Sequence, residues 1–95
     1  MPDYPDTIQL KAIRDWDVMK DPFGLLEYIT PLIEEYGTIR ITGKYIKKVY
    51  ITTDGWSGNE DIIRALRENT YLFWSVYWEK SERGGVYTFK VRKLK

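Results

Sequence analysis

Thr53-Asp54-Gly55-Trp56-Ser57-Gly58-Asn59-Glu60-Asp61-Ile62-Ile63-Arg64-Ala65-Leu66-Arg67-Glu68-Asn69 is the stretch whose reading decides the fold. It passes from a strand end through a tight turn into a helix. Ser57 and Glu60 fit the S-x-x-E capping box, with Ser57 as N-cap and Glu60 three residues on. Asp61 adds negative charge where the helix dipole favours it. Ile62, Ile63, Ala65 and Leu66 supply an apolar stripe at helical spacing, and Asn69 is a natural stop.

Before this stretch, residues 1–7 hold two prolines and two aspartates and are expected to form a flexible arm. Ile8 to Met19 reads two ways. Ile8, Leu10 and Ala12 suit a strand, whereas Ile8, Ala12, Trp16 and Met19 follow helical spacing; the reading taken is a short strand or irregular segment. Asp21-Pro22 opens a helix, with Asp21 as N-cap and Pro22 at the first helical position. Its apolar face runs from Phe23 through Leu25, Leu26, Ile29, Leu32 and Ile33 to Tyr36, with Gly37 beyond its end. Pro31 is expected to kink or split it. Residues 37–43 then alternate as a half-buried strand does. Gly43-Lys44 makes a turn, and Tyr45 to Thr53 forms the next strand, with Lys47, Val49 and Ile51 on one face.

After the helix, Tyr71 to Glu79 is apolar on both faces, with Leu72, Trp74, Val76 and Trp78 opposite Tyr71, Phe73, Ser75 and Tyr77. That predicts a central strand covered on both sides. A turn over Lys80 to Gly85 leads to a last strand, Val86 to Arg92, with Tyr87, Phe89 and Val91 facing one way. The expected fold is α+β: one domain over 1–95, an antiparallel sheet of about four strands with two helices packed on one face, in αββαββ order.

Composition narrows the chemistry. The chain is 43% hydrophobic, 31% charged and 16% aromatic, a globular balance with an excess of rings. It has no Cys and no His. Disulfides, thiolate metal sites and a conventional Ser-His triad are therefore excluded. No apolar run approaches the roughly 18 residues of a membrane span, and the acidic N-terminus lacks a signal-peptide pattern, so a cytoplasmic location is expected. Residues 1–36 carry three basic and eight acidic side chains, and residues 37–95 twelve and six, a charge of −5 against +6.

Asp54, Glu60 and Asp61 cluster near the turn, and paired carboxylates such as Asp54 and Glu60 can do acid–base work, but Glu60 has a capping role and Asp54 suits a turn. The glycine-flanked turn at Gly55 to Asn59 could hold an anion, against the charge of Glu60 and Asp61. The acidic residues lack the calcium-loop spacing. No cofactor or metal is expected.

The run Asp54-Gly55-Trp56-Ser57-Gly58-Asn59-Glu60-Asp61-Ile62-Ile63 precedes Leu72-Phe73-Trp74, Tyr77-Trp78 and Arg83-Gly84-Gly85-Val86-Tyr87-Thr88-Phe89. This joint pattern resembles small, mostly uncharacterised bacteriophage and prophage proteins and covers about Ile51 to Lys90. The resemblance implies a His before the Tyr of the Gly-Gly-x-Tyr segment, where this chain has Val86, so any role of that His is absent. It also implies a phage context, in which small proteins often block host machinery, defence systems such as CRISPR included. The resulting expectation is a non-enzymatic interaction protein, anti-CRISPR-like, that binds a host or phage protein in the host cytoplasm through Trp56, Asn59, Arg83 and Tyr87. The alternative is a single-stranded nucleic-acid-binding module that uses the sheet aromatics with Arg83, Lys90, Arg92 and Lys93.

Overall fold

A computed structural model describes residues 5–35 and 37–93. The fold is α+β. In chain order it runs α1 (Thr7–Asp15), α2 (Pro22–Glu34), β1 (Thr38–Thr42), β2 (Ile46–Thr52), α3 (Ser57–Arg67), α4 (Phe73–Tyr77), β3 (Trp78–Glu82) and β4 (Val86–Arg92). The four strands form one antiparallel sheet in the order β1-β2-β4-β3. The two hairpins, β1β2 and β3β4, meet along β2 and β4, where seven residue pairs run from Ile46↔Arg92 to Thr52↔Val86. The expected sheet and its two main helices are present, with α1 and α4 in addition.

Alternation decides which face of the sheet is covered. Ile39, Val49, Ile51, Phe89 and Val91 are buried on one face against Leu25, Leu26, Ile29, Ile33, Ile62 and Leu66 of the helices. Strand residues of the opposite parity, such as Arg40, Lys48, Tyr50 and Lys90, are exposed.

α1 corrects the strand reading of residues 8–19. Asp6 accepts a hydrogen bond from the Gln9 amide (2.8 Å), and the Gln9 side chain accepts one from the Asp6 amide (2.9 Å). This is a capping box. Once the helix is started, Ile13 is buried and Leu10 packs against the core, while Ile8 is 77% exposed. Of the arm expected over 1–7, residues 1–4 lie outside the described residues, Pro5 is buried, Asp6 caps α1 and Thr7 opens it.

α2 starts as expected, with the Gly24 amide donating to the Asp21 carboxylate at 2.9 Å. It runs continuously through Pro31, so the expected split does not occur. Pro31 is exposed, and the Thr30 hydroxyl donates to the Leu26 carbonyl (2.6 Å) beside it. Gly37 closes the end by donating to the Ile33 carbonyl at 2.8 Å. Tyr36, expected on the apolar face, lies outside the described residues.

The capping box expected at Ser57 and Glu60 is absent. Trp56 is the N-cap of α3, Ser57 is its first helical residue, and no side chain caps the amides there. Glu60 instead accepts from the Thr53 hydroxyl at 2.8 Å.

The largest correction concerns residues 71–79. They form no central strand. Residues 73–77 are helical, and β3 starts only at Trp78, as an exposed edge strand. The cause lies upstream. The buried Asn69 side chain accepts from the amides of Tyr71 (2.9 Å) and Phe73 (3.3 Å). Leu72 takes a left-handed conformation (φ 66°), and the chain then winds into α4. Phe73 and Tyr77, one turn apart, both become buried, with ring centroids 5.3 Å apart, and Phe73 packs 5.2 Å from Phe89.

The cap assignments are testable by urea denaturation. Asp6→Ala should cost about 0.5–2 kcal/mol, as loss of a working cap does. Ser57→Ala should stay within about 0.5 kcal/mol, as at an ordinary surface position. The reverse ranking would restore the capping box to α3.

Candidate functional site

The start of α3 is tied to the β3–β4 turn. The Thr53 amide donates to the Gly85 carbonyl (3.0 Å), while the buried Thr53 hydroxyl donates to Glu60. A Cβ on Gly85, whose φ is +77°, would lie 2.2 Å from that hydroxyl oxygen. Only glycine lets the two turns approach this closely. Asp54 also has positive φ, 53°, and is exposed. Its neighbour in the acid–base pairing, Glu60, is engaged with Thr53, so the two carboxylates serve a turn and a brace.

From this junction a line of aromatic side chains runs along the helix side of the sheet. Glu60, Ile63, Arg64, Arg67 and Tyr87 line a hollow of about 140 Å³. Tyr87 meets Trp74 edge-on at 5.9 Å, and Trp74 also stands edge-on to the buried Phe89 at 5.3 Å. Trp78 stacks on Trp74, with centroids 6.2 Å apart and planes 15° apart. The Arg67 guanidinium lies 4.5 Å over the same Trp74 ring, a cation–π contact. Trp78 is 43% exposed, and its indole N–H donates to the Ser81 hydroxyl (2.9 Å). Arg67 sits in the last turn of α3, where the helix dipole favours a cation. Arg64, one turn earlier, pairs with Asp61 at 3.3 Å.

The residues expected at a partner surface fare differently. Tyr87 joins the hollow, and Arg83 is exposed in the β3–β4 turn. The Trp56 indole lies over Gly58, where its ring atoms come within 2.3–2.6 Å of where a Cβ would stand. Asn59 is 0% exposed and donates to the Ile33 carbonyl at 3.2 Å. It packs against Gly37, where a Cβ would meet its amide nitrogen at 2.4 Å. Asn59 therefore joins α3 to the end of α2 and presents nothing outward. Arg67, Trp74 and Trp78 were missed as site residues, because the strand reading put the tryptophans on a central strand covered on both sides. The Phe73/Tyr77 and Trp74/Trp78 pairs, each four residues apart, carried the signal.

Among the sheet aromatics expected to hold nucleic acid, Phe89 is fully buried and Tyr87 is half-buried, both on the helix side of the sheet. Lys90 and Arg92 stand on the opposite, open face of the sheet. Arg83 remains in its turn, and Lys93 reaches 5.9 Å from the Phe23 ring. On the open face Glu79 accepts from Lys48 at 2.8 Å and lies 3.9 Å from Lys90. The Lys48 hydrogen bond holds its carboxyl below the ordinary carboxylate range. Burial pushes the Tyr77 phenol up, partly offset by the charge of Arg92, and its hydroxyl donates to the Arg92 carbonyl at 2.8 Å. Among the described residues no group of three or more acidic side chains could hold a metal ion, and no helix is long and apolar enough to cross a membrane.

Comparison with family models, with curated proteins and with solved structures finds no match to this chain.

The Thr53–Glu60 bond should carry the weight that the missing capping box does not. Thr53→Val should destabilise by about 1.5–3 kcal/mol, as loss of a buried bond to a charged group does. Chemical denaturation monitored by Trp fluorescence measures it; an unchanged midpoint would show the bond to be incidental.

Proposed function

We propose that this chain is a non-enzymatic binding protein that docks a partner protein on the surface formed by Arg67, Trp74, Trp78 and Tyr87. The observation that carries this reading is the half-exposed Trp78, stacked on Trp74 beside a guanidinium. Trp, Tyr and Arg dominate the energetics of protein interfaces, and rings already held by their neighbours lose little entropy on binding. Arg83 lies in the β3–β4 turn and Trp56 at the start of α3, and the Thr53–Gly85 hydrogen bond joins those two segments. The resemblance of Ile51 to Lys90 to small phage proteins supports a host or phage protein as the partner, with an anti-defence role as its consequence. The absence of His and Cys agrees with a role in binding, since it removes the commonest general base and thiolate nucleophile.

The test is a pull-down from bacterial host lysate with the tagged chain, read by quantitative mass spectrometry. Trp78→Ala should lower recovery of the captured protein at least tenfold while costing only about 1 kcal/mol of stability, the worth of one exposed aromatic stack. Equal recovery by Trp78→Ala and Arg67→Ala variants, both folded, would remove this surface from the function.

A further inference from the structure

The open face of the sheet carries a second pattern. Three rows of side chains cross it. Thr38, Thr52, Val86 and Glu82 form the first, Arg40, Tyr50, Thr88 and Lys80 the second, and Thr42, Lys48 and Lys90 the third. Arg92, paired with Ile46, extends the face beyond them. The face thus holds five cations, Arg40, Lys48, Lys80, Lys90 and Arg92, against two carboxylates, Glu79 and Glu82, a net of +3 on a chain whose total is +1.

The carboxylates do not neutralise it evenly. Glu79 pairs with Lys48 and Lys90, and Glu82 with Lys80 at 3.0 Å, all toward β3 and the middle of the sheet. Arg40 and Arg92 have no carboxylate partner among the described residues. Over β1 and β2 the surface sinks into a shallow groove of about 490 Å³ lined by Thr38, Arg40, Thr42, Lys48, Tyr50 and Thr52. Its lining holds two cations, three hydroxyls and a phenol, and no carboxylate. Tyr50 is 41% exposed, directly opposite Arg40 on the neighbouring strand.

We infer that this face binds single-stranded nucleic acid, with Arg40 and Arg92 on phosphates and an unpaired base stacked on Tyr50. The charge excess supplies backbone attraction that is independent of sequence. The threonine hydroxyls of the groove can donate to phosphate oxygens. Tyr50 favours a single strand, because a base can lie on an exposed ring only when it is not stacked within a duplex. This face lies on the other side of the sheet from Trp78, so the two sites can fail separately.

The test uses the full chain and a 5′-fluorescein-labelled oligothymidylate of 15 nucleotides, followed by anisotropy across a salt series from 50 mM NaCl. Saturable binding should weaken steadily with salt. The double variant Arg40→Gln/Arg92→Gln should lower the slope of log K against log salt by about 1.4, at about 0.7 per single-strand phosphate contact. Tyr50→Ala should weaken binding about 5- to 150-fold, the range for losing one base–aromatic stack. Glu79→Gln should tighten it, and Trp78→Ala should leave it unchanged. No anisotropy change at 50 mM NaCl would overturn the inference. So would equal competition by an unlabelled duplex or by poly-L-glutamate, or an unaltered affinity in folded Tyr50→Ala.

Discussion

Asn69 is the point on which the arrangement of the helices depends. Its side-chain amide donates to the carbonyls of Ile13 (2.8 Å) and Trp16 (3.1 Å) at the end of α1, and its carbonyl oxygen receives the amides of Tyr71 and Phe73. The adjacent Thr70 amide donates to the Arg14 carbonyl (2.8 Å). The last carbonyls of a helix have no partner within it, and buried polar groups left unpaired are costly. One short polar side chain therefore finishes α1 and starts α4. Asp and Leu are close to it in size, but neither has both donors and acceptor to do this.

That clamp reaches the surface through α4. Once Phe73 is fixed, Tyr77 follows it into the core one turn later, and Trp74 and Trp78 are set on an adjacent flank. Phe89 is shared: Phe73 packs on it at 5.2 Å and Trp74 meets it edge-on at 5.3 Å. The binding surface is thus the outer layer of the same aromatic cluster that closes the core. The rigidity of the rings comes from packing, and only Trp78 reaches well into solvent. The opposite face of the sheet owes nothing to this cluster. Its chemistry is set by strand parity, which sends every second residue of β2 and β4 away from the helices, and by the register shift between Trp78 and Lys80, which puts Lys80 and Glu82 of β3 on the same face.

Most of the sheet was legible in the sequence. Strict alternation grouped Lys47, Val49 and Ile51 on one face of β2 and Tyr87, Phe89 and Val91 on one face of β4, which the register of the structure puts on the same side, and Gly43 and the Gly84-Gly85 pair marked the turns. Asp21-Pro22 placed the start of α2. Two helices were not legible, for related reasons. α1 is opened by Asp6 and Gln9, a cap that resembles loop sequence until its reciprocal bonds are seen. α4 is a single turn, too short for periodicity to assert itself, and its aromatic and β-branched residues favour strands. What decided it was a side chain two to four residues upstream bonding to amides it could reach only in that geometry. At Ser57 the error ran the other way. The S-x-x-E spacing was present, but Thr53 competed for Glu60 and won, because its hydroxyl is buried beside that carboxylate. The candidate surface inherited these errors: Tyr87 and Arg83 were legible as exposed or half-exposed, Asn59 was not, and Trp74 and Trp78 were hidden by the strand reading.

Hydrogen exchange of the Asn69→Ala variant against the parent chain tests the clamp most directly. If Asn69 joins α1 to α4, the amides of α1 and those of residues 73–77 should lose protection together, while the β2–β4 ladder keeps the slowest exchange in the molecule. The contradicting result is α1 and α4 amides that stay as protected, relative to the β2–β4 ladder, as they are in the parent.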